Sequence, residues 1–249
     1  MKIKWLGHAC VLITTNSGVR IITDPFEIAY GTTPDGYMYY NPVEETADIV
    51  AITHDHKDHN FVDLIKGKPV IVRGKDIKGG PATMVRGIGF KAIPTFHDDE
   101  MGKVLGENNV LCFNVDGLNV CHIGDLGHVL TDEQVAEIGK VDIVLNCVGQ
   151  CKPVGEEQFR IDEKGKRVRA PYAEYIINCD VANQVYEKLD APVTIPIHCS
   201  NERCSYKIAG METFLLQKKD IKRLNTSEVE LKKEDLPKEK QIIVLKPAL

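Results

Sequence analysis

The chain has 249 residues, 43% hydrophobic and 27% charged, with a formal charge of −5, which excludes disordered, collagen-like and strongly basic classes. No apolar run reaches the ~18 residues that a membrane helix needs, and the acidic balance gives no electrostatic reason to bind nucleic acid or an anionic bilayer. We therefore expect a small-molecule partner, with no nucleic acid and no membrane.

The start, Met1-Lys2-Ile3-Lys4-Trp5-Leu6-Gly7-His8, carries charges inside a strand-like run and no apolar leader follows it, so a cytoplasmic location is expected. The eight cysteines form no C-x-x-C pair and several lie in apolar runs, which reads as buried free thiols in a reducing compartment.

In chain order, Lys2–Leu6, Ala9–Thr15 and Val19–Thr23 read as a β-meander with a turn at Asn16-Ser17-Gly18. Asp24-Pro25 then opens a long loop, 27–46, whose Tyr37, Tyr39 and Tyr40 can meet a substrate, a neighbouring subunit or only the loop's own packing. After it, four apolar runs each stop at a histidine or aspartate: Asp48–Thr53 at His54, Lys91–Phe96 at His97, Leu118–Gly124 at Asp125, and Pro192–Ile197 at His198. Such runs suit strands buried on both faces, and in layered α/β folds polar site residues gather at strand ends.

Helices are expected from Asn60 to Lys66, from a capping box at Thr131-Asp132-Glu133-Gln134 to Ile138, and from Asp180 to Leu189. Asp116-Gly117 signals a hairpin, and the Lys- and Glu-rich stretch Lys218–Lys240 reads as a solvated strand-and-loop edge. With no repeat or linker, one domain over 1–249 is expected, with an apparent charged insertion at about 151–177.

The densest chemistry is Thr53-His54-Asp55-His56-Lys57-Asp58-His59, which contains H-x-H-x-D-H. Alternate residues at a strand end project His54 and His56 together, and a turn brings Asp58 and His59 round a second position. Imidazole and carboxylate suit borderline divalent ions, so the cluster reads as two adjacent metals.

With these residues the chain resembles the metallo-β-lactamase superfamily, which implies an α/β fold, the four-layer αβ/βα sandwich. By that resemblance His54, His56 and His97 take one ion, Asp58, His59 and His198 the other, and Asp125 bridges them. Trp5-Leu6-Gly7-His8, Ile22-Thr23-Asp24-Pro25 and Gly124-Asp125-Leu126-Gly127-His128 look like the branch containing L-ascorbate-6-phosphate lactonase. The chain departs from that branch at Cys147-Val148-Gly149-Gln150, at Leu105-Gly106-Glu107-Asn108 and at Cys199.

The implied function is a dinuclear metal-dependent hydrolase. Two divalent ions, zinc first with manganese or iron as alternatives, would hold a bridging hydroxide that attacks a small ester, lactone or phosphoester. Asp58 is expected to ligate and to orient the nucleophile. Asp24 and Thr53 are candidates to orient imidazoles, Asp24 being otherwise a turn residue before Pro25, and His8, Asn108 and His128 to meet substrate, His8 and His128 being otherwise structural histidines. His122, if its strand alternates regularly, faces the other side of the strand from Asp125 and reads as structural, and Cys147 and Cys199 read as buried thiols. A phosphodiesterase or ribonuclease of the same superfamily and a non-catalytic metal-binding scaffold are the competing readings, and a self-associating surface is implied by the resemblance alone.

Overall fold

Alternation of inward and outward side chains builds the first sheet. In β1 (Lys2–Gly7) Ile3 and Trp5 enter the central core while Leu6 faces outward; in β2 (Cys10–Thr14) Val11 and Ile13 point in, and Cys10 and Leu12 out. β3 (Arg20–Thr23) sends Ile21 in and Ile22 out. After a short ladder of β4 (Thr32–Thr33) with β5 (Gly36–Tyr37), β6 (Ile49–Ile52) repeats the pattern and β7 (Val70–Arg73) follows.

The computed structural model describes the chain except residues 28–31, 34–35, 78–81, 150–151, 154–158, 162–166, 170–176, 179, 205–207 and 217; at 32–33, 36–37, 152–153, 159–161, 167–169 and 177–178 only the backbone is described. Most of the expected 151–177 insertion, and the side chain of Tyr37, therefore lie outside the described residues.

The second half runs through β8 (Thr83–Val85), β9 (Ile88–Phe96), β10 (Glu107–Val115) and β11 (Leu118–His122). β10 and β11 meet at Asp116-Gly117, whose φ angles of 52° and 79° suit a two-residue type I′ turn. Helix α1 (Asp132–Ile138) starts on the expected capping box of Thr131 and Gln134 and ends at Gly139. Then come β12 (Ile143–Cys147), the short strands β13 (Lys152–Pro153), β14 (Phe159–Ile161), β15 (Arg167–Arg169) and β16 (Ile177–Asn178), helix α2 (Asp180–Leu189) and β17 (Val193–Ile197). Helix α3 (Met211–Leu215), β18 (Ile221–Arg223), β19 (Glu228–Glu230) and β20 (Gln241–Val244) close the described elements.

The first sheet has the order β19-β1-β2-β3-β6-β7 and the second β18-β20-β17-β12-β11-β10-β9-β8. Lys218–Lys240 thus supplies one edge strand to each sheet, in keeping with its charge pattern. Between the sheets lies the main core, including Trp5, Phe90, Phe113 and Ile195. Outside the second sheet, α1 and α2 bury Ile138, Val185 and Leu189; outside the first, Phe26, Met38, Tyr40 and Val43 form the cover. These four layers give the expected metallo-β-lactamase sandwich, with helices over the second sheet and, among the described residues, irregular chain over the first.

The helix expected from Asn60 to Lys66 is absent. Asn60 Nδ2 instead donates to the Asp55 carbonyl at 2.9 Å, Ile65 N closes a tight turn on Val62 O, and Lys66 bridges Thr46. Seven residues repay helix nucleation poorly, and here the backbone groups find partners in the neighbouring loop. No described helix is long and apolar enough to cross a membrane.

Candidate metal centre

The four strand ends do converge. β6 leads into Thr53 and His54, β9 into His97 and β17 into His198, and β11 ends shortly before Asp125. Ligand-type atoms of His54, His56 and His97 lie within 4.8 Å of one another, and so do those of Asp58, His59, His198 and His8. The first three are the trio expected for one ion. The second set is the expected Asp58, His59 and His198 with His8 added.

Asp125 stands between the two groups. Its Oδ2 is 3.1 Å from His97 Nε2 and 3.3 Å from His59 Nε2, and its Oδ1 is 3.5 Å from His198 Nε2. His8 Nε2 is 3.1 Å from Asp58 Oδ2, and its ring lies 4.0 Å from that of His198. The His8 carbonyl also accepts from His198 N and from the Trp5 indole, each at 2.9 Å, so the backbone clamps β1 against the end of β17. His56 is exposed while His54, His97, Asp125 and His198 are buried, which sets the open side of the centre at His56.

A second layer of hydrogen bonds aims these rings. Asp24 Oδ2 accepts from Thr53 Oγ1 at 2.7 Å, from a His59 ring nitrogen, Nδ1, at 3.0 Å and from His122 Nε2 at 2.8 Å, while Oδ1 accepts from Thr53 N at 2.8 Å. Since the Thr53 hydroxyl hydrogen goes to Asp24, its oxygen is left to accept from His54 Nδ1, 2.9 Å away. Both imidazoles thereby carry hydrogen on Nδ1 and aim Nε2 inward; neutral His54 offers its lone pair there, and His59 would offer one on giving up its Nε2 proton to an arriving ion.

His122 corrects the sequence reading. The strand stops at His122 and Gly124 takes φ of 61°, so alternation does not run on to Asp125. His122 therefore faces the first sheet and binds Asp24, three residues before an aspartate that also reaches the centre. A search for imidazole partners of Asp24 would have found it; strand parity alone could not.

The electrostatics follow from burying three carboxylates among imidazoles. Burial raises the Asp24, Asp58 and Asp125 carboxyls, but His122 and His59 around Asp24, His59 and His8 around Asp58, and His198 and His59 around Asp125 outweigh it and hold all three below the ordinary range. Burial pulls His59 down, yet Asp125 and Asp58 hold it well above its usual value, and His97 is raised by Asp125 in the same way. His54 and His198 are pushed down to about 3, chiefly by burial, and so stay neutral.

Other expected residues fall elsewhere. Asn108 is fully buried; its amide donates to Thr95 Oγ1 and the Ile123 carbonyl, and its Oδ1 accepts from Asp125 N at 3.1 Å, so it anchors the Asp125 turn and presents nothing to a substrate. His128 Nε2 accepts from Phe96 N and its Nδ1 donates to the Val129 carbonyl, which spends both nitrogens on backbone. Tyr40 is buried and accepts from Asn201 Nδ2, so it is a packing residue, whereas Tyr39 is 58% exposed. Burial raises the Cys147 thiol well above its ordinary value and the Cys199 thiol to about 12, as expected of buried thiols. A cavity of about 200 Å³ beside the first trio is lined by His54, His56, Asp55, Arg73, Lys75 and Leu105; Arg73 and Lys75 both pair with Asp55.

The residues fit divalent ions. His54 Nε2, His59 Nε2, His198 Nε2 and Asp125 Oδ1 are buried without a hydrogen-bond partner among the described residues. Leaving such groups unpaired is costly, and each belongs to one of the two ligand groups or to Asp125 beside them.

A family described as the beta-lactamase superfamily domain matches residues 2–198, and the chain belongs to this superfamily. A Methanospirillum hungatei protein named UPF0173 metal-dependent hydrolase is 29% identical over 216 residues, 80% of this chain and 82% of that protein. A crystal structure from Thermotoga maritima, described as a Zn-dependent hydrolase of the metallo-β-lactamase superfamily, is 32% identical with a TM-score of 0.67, covering 98% of this chain and 97% of that one. A metallo hydrolase from Ignicoccus hospitalis, 20% identical with a TM-score of 0.52 over 87% of this chain and 89% of its own, shares the fold.

Proposed function

We propose that the protein is a metal-dependent hydrolase that holds two divalent ions, zinc first, and acts on a small ester, lactone or phosphoester. The observation that carries this reading is the pair of ligand groups flanking Asp125, in which Nε2 of His54, His59 and His198 has no hydrogen-bond partner among the described residues. His54, His56 and His97 would hold one ion, Asp58, His59 and His198 the other, and Asp125, whose oxygens lie near His97, His59 and His198, would serve both.

Bound divalent ions supply Lewis acidity toward the scissile group and lower the pKa of a water from roughly 15.7 toward 7. The chain supplies position. Asp58, held by His8, is the carboxylate placed to accept a hydrogen bond from the attacking water and to fix its direction. Asp24 fixes His59 directly and His54 through Thr53, so neither ring can rotate out of line. The exposed His56 marks the side from which substrate enters.

The experiment is metal analysis of purified protein combined with a panel of generic esters, lactones and phosphodiesters. About two ions per chain and turnover that Asp58→Ala reduces by at least ~100-fold, the scale of a lost proton-handling group, support the reading. Well under one ion per chain, with no turnover after zinc or manganese is added, overturns it.

A further inference from the structure

Two cysteines outside the metal centre lie face to face. Cys112 on β10 and Cys121 on β11 are register partners, on the face of the second sheet that packs toward the helices. The hairpin turn fixes the kind of pair they form. Val115 and Leu118 flank a two-residue turn and are hydrogen-bonded partners, so pairs alternate from there: Asn114 with Asn119 is non-hydrogen-bonded, Phe113 with Val120 is bonded, and Cys112 with Cys121 is non-hydrogen-bonded. Side chains of such pairs approach most closely, and their Cα separation of roughly 4.5 Å lies inside the range a disulfide spans. Asn114 and Asn119, the equivalent pair nearer the turn, already bond side chain to side chain at 2.8 Å. The two sulfurs are 3.7 Å apart.

The two thiols differ in access. Cys121 is fully buried, whereas Cys112 is half-buried and lines a surface cavity of about 350 Å³ with Gly89, Asn114, Asn119 and Lys140. From this geometry we infer that Cys112 and Cys121 form a thiol–disulfide exchange site that takes low-molecular-weight disulfides, Cys112 attacking first and Cys121 resolving.

In the first step the Cys112 thiolate, its proton released to solvent, attacks one sulfur of R–S–S–R. The S–S bond breaks, and RS⁻ leaves and is protonated. Cys121 then loses its proton and attacks the Cys112 sulfur, expelling the second RS⁻. Two protein thiols are oxidised and one small disulfide is reduced to two thiols. The Cys112 contact and burial together hold the Cys121 thiol well above its usual value, which keeps it from reacting before Cys112 has been modified.

The test treats the folded, full-length protein with glutathione disulfide, blocks remaining thiols under denaturing conditions and maps the products by mass spectrometry. The expected result is a linked peptide pair containing Cys112 and Cys121, formed ahead of modification at the buried Cys10, Cys147, Cys199 and Cys204. Cys121→Ser should stop at a stable glutathione adduct on Cys112, and Cys112→Ser should leave Cys121 unmodified. If glutathione disulfide modifies other cysteines while 112 and 121 remain open to blocking, or if Cys121 is modified equally in Cys112→Ser, the inference is wrong; the wild-type map decides even where a variant does not fold.

Discussion

His8, Asp24 and His198 have φ angles of 49°, 38° and 51°, a region costly for side chains other than glycine. Each such residue costs about 1–3 kcal/mol and persists where its surroundings over-determine it. Here the surroundings are visible: the Trp5 indole and the His198 amide hold the His8 carbonyl, and three donors besides the Thr53 amide hold the Asp24 carboxylate. Asp24→Asn replaces an all-acceptor group with one that must present an NH₂ to donors. Metal affinity measured by chelator competition should fall by roughly 10–100-fold, the range found when partners of ligating histidines are removed. At this scale the convergence of these residues was legible because H-x-H-x-D-H and three strand ends concentrate chemically distinctive side chains. His122 was not legible, since its role depends on a strand that stops before Asp125 and on a partner on the other sheet.

Elements deliver these residues only where their ends are fixed. Gly127 approaches the end of β9 so closely that an added Cβ would meet the carbonyl carbon and oxygen of His97 and the amide of Asp98. Because the obstacle is backbone, Gly127→Ala should cost about 1–3 kcal/mol as an overpacked site, read by denaturant unfolding, and should lower metal stoichiometry by displacing His97. The neighbouring loop is organised by Asp98, whose two oxygens accept from the amides of Glu100, Gly102, Val104 and Leu105 at 2.7–3.0 Å; those amides, led by Leu105, lower its carboxyl to about 2. Asp98→Asn should speed hydrogen exchange at these four amides while leaving the sheet amides protected. The capping box at Thr131 and the Asp116-Gly117 turn were readable because each is a local hydrogen-bond or φ requirement. The expected helix at Asn60 failed because that segment's partners, Asp55 and Thr46, come from the stretches on either side of β6.

At the scale of the molecule, each ligand group draws on both sheets. His54 and His56 follow β6 of the first sheet while His97 follows β9 of the second, and His8, Asp58 and His59 belong to the first while His198 follows β17 of the second. Bound ions would favour the native state by mass action, so zinc at about a hundred times its dissociation constant should add about 2.7 kcal/mol to the unfolding free energy. Thermal scans with zinc and after chelator dialysis check this. The order of the two sheets was less legible than their strands, since periodicity shows which faces are buried but not which strands are neighbours.

The hydrogen bond from the His198 amide to the His8 carbonyl ties the end of β17 in one sheet to the end of β1 in the other, like a stop between two jaws, beside the candidate ligand groups. Sliding one sheet past the other would change the separation of the ligand groups long before it broke a strand ladder. Alignment of the candidate centre is therefore held by the fit of core side chains between the sheets, such as Phe90 and Phe113, and wear in that fit would register first as lost precision among the candidate ligands.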